Sequence, residues 1–184
     1  PYKITQVTYE NETGNVTLGG TLTTPNGEGP FPAAILISGS GSQDRDETIF
    51  EHKPFMVIAD YLTRNGIAVL RLDDRGVGDS EGNIRNATSE DFAGDVLAGV
   101  KFLKSKTEIN FNEIGLIGHS EGGLIAPIAA NNKAAFQPRM SESENLTIYG
   151  NVGNVTIDVN GGSTAKEIAA SISSRLSETG VSAT

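Results

Sequence analysis

"IGLIGHSEGGLIAP", residues 114–127, decides how the rest of the chain is read. A short run of apolar residues and glycine leads into Gly118-His119-Ser120-Glu121-Gly122, and a helical pattern follows. The five-residue G-x-S-x-G pattern is weak by itself, because glycine and serine are common. Between a strand and a helix it describes a sharp turn that lifts a serine hydroxyl clear of the strand end. Small residues two before and two after Ser120 let neighbouring backbone pack close. The N-terminus of the following helix favours negative charge beside the serine. The backbone N–H of Glu121 then becomes one candidate oxyanion donor. A second is expected from "SGSGSQD", residues 38–44, where Ser40 or Gly41 can aim an N–H at the same point. Each such donor is typically worth ~3 kcal/mol in a transition state.

Around this stretch, segments of two periods alternate. "KITQVTYENETGNVTLGGTLTTP" alternates apolar and polar residues with glycines between, the pattern of an antiparallel pair. "PNGEGPFP" is a loop by its Pro and Gly content. "AAILISG" is a short apolar run, as expected of a strand buried on both faces. "HKPFMVIADYLTRNG" places Phe55, Ile58, Ala59 and Leu62 on one helical face, with Gly66 suited to ending it. "IAVLRLDD" is a strand, and "TSEDFAGDVLAGVKFLKSK" a helix capped by Thr88 and Asp91 with Phe92, Val96, Val100 and Leu103 inward. "EIGLIG" and "EGGLIAPIAANN" complete a strand–helix–strand–helix series, which predicts an α/β fold with a mostly parallel sheet and flanking helices.

The character changes near "QPRMSESEN", residues 137–145. "NLTIYGNVGNVTIDV" beyond it reads as a β-hairpin turning near Gly150–Gly153. "STAKEIAASISSRLSETG" reads as a helix with a Thr164–Glu167 capping box, a stripe of Ile168, Ile172 and Leu176, and Gly180 at its end. The expected organisation is therefore a first domain over 1–137, a junction over 138–144, and a hairpin–helix segment over 145–184.

A net charge of −9 argues against a nucleic-acid partner, since phosphate binding needs a basic patch. No apolar run approaches the ~20 residues of a membrane span. The chain has no cysteine and only two histidines, far apart, so neither a metal site nor another cofactor is expected. It opens at Pro1 with no initiator Met and no leader pattern, which reads as a fragment or a processed product and leaves the compartment undetermined.

Four stretches together resemble the bacterial α/β-hydrolases of the serine-hydrolase superfamily, near the dienelactone-hydrolase and acyl-peptidase-like esterases: "ILISGSGSQDRDE", "HKPFMVIADYLTRNGIAVLRLDDRGVGDSEG", "DFAGDVLAGVKFLKS" and "IGLIGHSEGGLIAP". The resemblance implies hydrolysis of a small-molecule ester or related acyl substrate through Ser120, with Glu121 and Ser40 or Gly41 around the oxyanion. Arg75, in "DDRGVGDS", is expected to tie down its loop. The resemblance also implies an aspartate and then a histidine after the serine, and no histidine follows Ser120 here. His119 adjoins the serine, but the turn points neighbouring side chains apart, so a packed or surface imidazole is expected. His52 follows the oxyanion loop and is the remaining candidate base, although the resemblance places no base there and a loop-anchoring role is favoured. Asp44, Asp46, Asp73, Asp74 and Asp79 are read as solvated loop carboxylates.

Residues ~144–184 resemble a bacterial flagellin segment, on the order "LTI-G…TIDV…STAKEIAA…TGVSAT". Three readings follow: an incomplete acyl hydrolase of weak or absent activity, a flagellin-like filament segment, or a chimeric junction of two unrelated genes. In the strand order that the resemblance implies, the Ser120 strand has an open edge. The hairpin is expected to cover it by strand addition, and self-association along that edge is the alternative.

Overall fold

A computed structural model describes residues 2–132, 144–149, 152–160 and 163–179. The chain falls into two compact units, Pro1–Phe136 and Gln137–Thr184.

The first unit is built on a five-stranded sheet. Its strands are β1 (Lys3–Asn11), β2 (Val16–Thr24), β3 (Phe31–Ile37), β4 (Ala68–Leu72) and β5 (Ile109–Gly118), in the order β1-β2-β4-β3-β5. β1 and β2 form the antiparallel pair that the alternating pattern implied, and β2 meets β4 antiparallel. β4, β3 and β5 run parallel. β5 begins four residues before the "EIGLIG" run, because Ile109 pairs with Phe31 before the register shifts and Ile114 joins Ala33.

Helices α1 (Pro54–Arg64), α2 (Ser89–Lys104) and α3 (Gly122–Ala130) cover the sheet. Central strands bury both faces, as their unbroken apolar runs require. Ala33, Ile35, Ile37, Ala68 and Leu70 pack with Val96, Val100, Leu103 and Ile125 of α2 and α3. Leu36 and Val69, offset by one residue, pack with Phe55 and Ala59 of α1. Thr88 caps α2, accepting from the N–H of Asp91, while Asp91 accepts from the N–H of Thr88 at 2.8 Å.

Two expected helical stripes are corrected. On α1, Ile58 lies on the flank of the buried face and is 37% exposed. Thr63 is buried in its place, its hydroxyl 2.7 Å from that of Thr23 on β2.

In the second unit, β6 (Glu144–Tyr149) and β7 (Asn154–Val159) pair antiparallel from Glu144↔Val159 to Tyr149↔Asn154. Gly150 and Gly180 lie outside the described residues. Thr164 and Glu167 form the expected capping box at α4 (Ala165–Ser174). That helix stops at Arg175, and a separate turn, α5, spans Leu176–Thr179. Leu176 therefore leaves the stripe and is largely exposed.

The two strands of the hairpin pair with each other in a two-stranded sheet. β5 keeps β3 as its one strand partner among the described residues. No helix among the described residues is long and apolar enough to cross a membrane.

Arg75 anchors its loop as expected. Its Nε and Nη2 donate to Asp95 of α2 at 2.7 and 2.9 Å, and Asn11 of β1 donates to the same carboxylate at 2.7 Å. All three residues are buried. Removing one member of such a pair strands the other charge without water. Asp95→Ala should cost about 3–5 kcal/mol of folding free energy, read by urea denaturation. A loss under about 1 kcal/mol, the level of an exposed pair, would contradict the role given to this contact.

Candidate active site

β3, β4 and β5 end side by side, and their connections gather the candidate groups. At the end of β5 the backbone packs so tightly that two positions admit no side chain. A Cβ at Gly118 would lie 2.0 Å from the carbonyl oxygen of Gly122, and one at Gly122 would lie 2.2 Å from the carbonyl oxygen of Ile37. The N–H of Gly122 donates to the carbonyl of His119 at 2.8 Å, closing the turn. Ser120 sits at its apex with φ of 51°. That left-handed conformation costs an L-residue about 1–2 kcal/mol, and it leaves Ser120 exposed between strand and helix.

Glu121 is the N-cap of α3. Its side chain turns away and accepts from the hydroxyl of Ser89 at 3.0 Å. Among the described residues, no protein acceptor takes the N–H of Ser40, Gly41 or Glu121. The N–H of Gly39 is committed instead, donating to Glu47 at 2.8 Å. A Cβ at Gly39 would sit 3.1 Å from that of Ser120, so the loop after β3 passes directly over the serine.

No hydrogen bond joins an imidazole to Ser120 among the described residues. His52 is exposed, and its contribution is backbone: it exchanges two 2.9 Å hydrogen bonds with Ile49, a small bridge in the loop before α1. The His119 ring is more than half exposed and directs Nδ1 at Glu47 Oε1, 2.7 Å away.

The acidic residues behave differently from solvated loop carboxylates. Asp73 is buried and receives Arg45, which also binds Asp79 and Gln6. Burial pushes the Asp73 carboxyl up, but bonds from Arg45 and from the N–H groups of Asp79 and Arg45 outweigh it and hold it below the usual range. Asp46 pairs with Arg71 and Lys53. Asp44 accepts from the N–H groups of Asp46 and Thr48. Asp79 stays largely exposed. Asp74 accepts from the Ser38 hydroxyl at 2.9 Å and the Gln43 N–H at 2.8 Å. It has no cationic partner among these contacts, and burial raises its carboxyl to about 6.

A small cavity of about 50 Å³ lies beside the turn, lined in part by Leu36, Ser38, Gly39, Asp74, Phe92 and Val96. Sequence reasoning missed Glu47 and the special place of Asp74. Both lie in polar loops that carry no hydrophobic period. The one signal was the density of acids in "QDRDE" and "DD".

Both parts of the chain are similar to known proteins. The family described as serine aminopeptidase, S33, matches residues 51–140, and the flagellin hook IN motif matches residues 145–184. Esterase EstD of Thermotoga maritima is 38% identical over 118 residues, covering 64% of this chain and 28% of that protein. A protein described as a putative hydrolase, YtaP of Bacillus subtilis, is 31% identical over 118 residues, covering 54% of this chain and 38% of that one. The chain thus spans well under half the length of either relative. Among solved structures, Est1E of Butyrivibrio proteoclasticus, seen with ferulic acid bound, superposes with a TM-score of 0.59 at 26% identity, covering 71% of this chain and 49% of that one. The first unit has the α/β-hydrolase fold and resembles serine hydrolases, and the C-terminal residues resemble a flagellin segment.

The raised carboxyl of Asp74 has a pH consequence. Folded Asp74 keeps its proton to about pH 6, whereas an unfolded carboxyl loses it near 3.9. The folded state holds the extra proton between those values, so this group's contribution to stability declines as pH rises from about 4 to about 6. Asp74→Asn removes that titration. The variant should gain on the unaltered protein across the window by up to about 3 kcal/mol, measured by urea unfolding at pH 4.5 and 7.5. Parallel pH profiles for the two proteins would show that Asp74 is not held this way.

Proposed function

We propose that residues 1–137 form the N-terminal part of a serine acyl-hydrolase domain, with Ser120 as nucleophile on a nucleophile elbow. The observation that carries this reading is the exposed serine at φ 51°, placed between β5 and α3 beside N–H groups that no protein atom among the described residues uses. In this reading the N–H of Glu121 and that of Ser40 or Gly41 stabilise the developing oxyanion. The substrate class is a small carboxylic ester or related acyl compound, as the esterase relatives suggest.

Acyl transfer needs a base within about 2.6–3.2 Å of the hydroxyl. No histidine follows Ser120 in the sequence, and neither His52 nor His119 is hydrogen-bonded to Ser120. As it stands, the 184-residue chain would attack slowly or not at all. The oxyanion donors and binding alone can still supply roughly 10³–10⁴ over water.

The match of residues 145–184 to the flagellin motif favours a second reading for that segment. We assign it a structural role rather than a part in the chemistry, joined through 138–144 to a hydrolase-like unit of different origin. With β3 as its one strand partner among the described residues, β5 offers an edge for self-association between copies.

A fluorophosphonate probe tests the nucleophile. It should label Ser120 slowly, Ser120→Ala should abolish labelling, and p-nitrophenyl acetate should show a small acylation burst with little turnover. Label elsewhere, or unchanged labelling of Ser120→Ala, would sink the assignment.

A further inference from the structure

We propose that Glu47 is a positioning residue, one that clamps the loop after β3 onto the Ser120 turn and so decides which amides face the oxyanion. The proposal rests on reading Ser120 as the nucleophile.

One oxygen, Oε1 of Glu47, takes both halves of the site. It accepts the N–H of Gly39 at 2.8 Å, and it meets Nδ1 of His119 at 2.7 Å. Gly39 belongs to the loop that carries the candidate donors. His119 is the residue before the serine, and its own N–H is fixed to the carbonyl of Ile37 at 3.0 Å. The three partners surround a single point: a methyl on Gly39 would lie 3.1 Å from Ser120 Cβ, 3.2 Å from Glu47 Oε1 and 3.3 Å from His119 Nδ1.

Glu47 is 2% exposed, and its φ of 51° is a left-handed one. Its N–H is held by the carbonyl of Asp44 at 2.9 Å, so the chain is bent to deliver the carboxylate inward. Burying a carboxylate is costly unless each partner is well placed. An apolar residue would fill the same space without that cost. The carboxylate's hydrogen bonds run to the two segments whose spacing the chemistry needs, and this is the reason for a charge there. Capturing the Gly39 amide removes it from the oxyanion set and leaves the next two amides, of Ser40 and Gly41, without a protein acceptor among the described residues. Oε1 can accept from His119 only if Nδ1 carries a proton, so the clamp also fixes the ring tautomer.

The test uses the intact chain and the variants Glu47→Leu and Glu47→Gln. Two readouts are taken: the rate of fluorophosphonate attachment at Ser120, and the NMR signals of the Gly39 amide and the His119 ring nitrogens. In the unaltered protein, the Gly39 amide proton should resonate downfield and His119 should be protonated at Nδ1. Glu47→Leu should lose both signatures and label at least about tenfold more slowly. Glu47→Gln retains an accepting oxygen, so it should keep the Gly39 signature and label within about threefold of the parent.

Equal labelling of the Leu variant, or an unshifted Gly39 amide in it, would overturn the clamp. If the unaltered protein does not label at Ser120, the nucleophile reading fails by itself, and the Gly39 and His119 signals still decide whether the clamp exists. If Glu47→Leu does not fold, His119→Ala replaces it. Releasing that partner should shift the Gly39 amide and slow labelling, and the absence of both effects would count against the proposal.

Discussion

Three stretches of backbone meet where β5 ends, and they leave no volume for a side chain at two of the contact points. Gly118 lies against the carbonyl of Gly122, and Gly122 against the carbonyl of Ile37. Once those contacts are made, the chain between them has little choice of path. Ser120 is pushed to a positive φ, its side chain faces outward, and α3 starts immediately behind it. The strain at the serine is maintained by packing that involves β3 as well as β5. The geometry at residue 120 is therefore a property of the parallel sheet, and the five-residue motif could not impose it alone.

A second layer of order comes from charge. The loops after β3 and β4 are rich in carboxylates, and several are tied to a guanidinium, Asp73 to Arg45 and Asp46 to Arg71, while Arg75 of the second loop binds Asp95 of α2. Buried pairs of this kind add little net stability, because desolvation consumes most of the attraction. What they supply is fixed position, since a displaced partner leaves an unpaired charge. Asp74 and Glu47 lack such a guanidinium among these contacts. Asp74 is left with hydroxyl and amide donors and a raised carboxyl. Glu47 holds an amide and an imidazole. Both sit against the serine's side of the sheet, where uncompensated acids would be hardest to tolerate without a role.

The parts of this architecture that repeat with a period were legible in the sequence. The strands announce themselves by apolar runs, α2 and α4 by Thr88–Asp91 and Thr164–Glu167, and the turn by its glycine spacing. What failed were details set by tertiary neighbours. Thr63 is buried because Thr23 waits across the sheet, and Ile58 is exposed because the buried face of α1 is narrow. The long terminal helix expected through Gly180 stops at Arg175, which no local propensity marks. Glu47 was invisible for a different reason. A charged residue in a polar loop looks solvated until the fold brings Gly39 and His119 around it.

The proposed site divides into two parts of different origin. Ser120 and the loop that passes over it come from residues 118–122 and 38–47, two segments at the ends of the paired strands β5 and β3. Building that half needs one parallel crossover and the contacts already described. The proton acceptor is different in kind, since in the fold this unit shares it is delivered from a distant loop over the same sheet edge. On the proposed reading, the packing around Ser120 shapes the turn without involving a base. Under that proposal the amides near the turn are preorganised for negative charge at a tetrahedral centre, and electrostatic preorganisation of that sort is the larger share of acyl-transfer catalysis. The strained serine and the paired carboxylates are consequently retained by the fold itself, independent of whether the reaction is carried to completion.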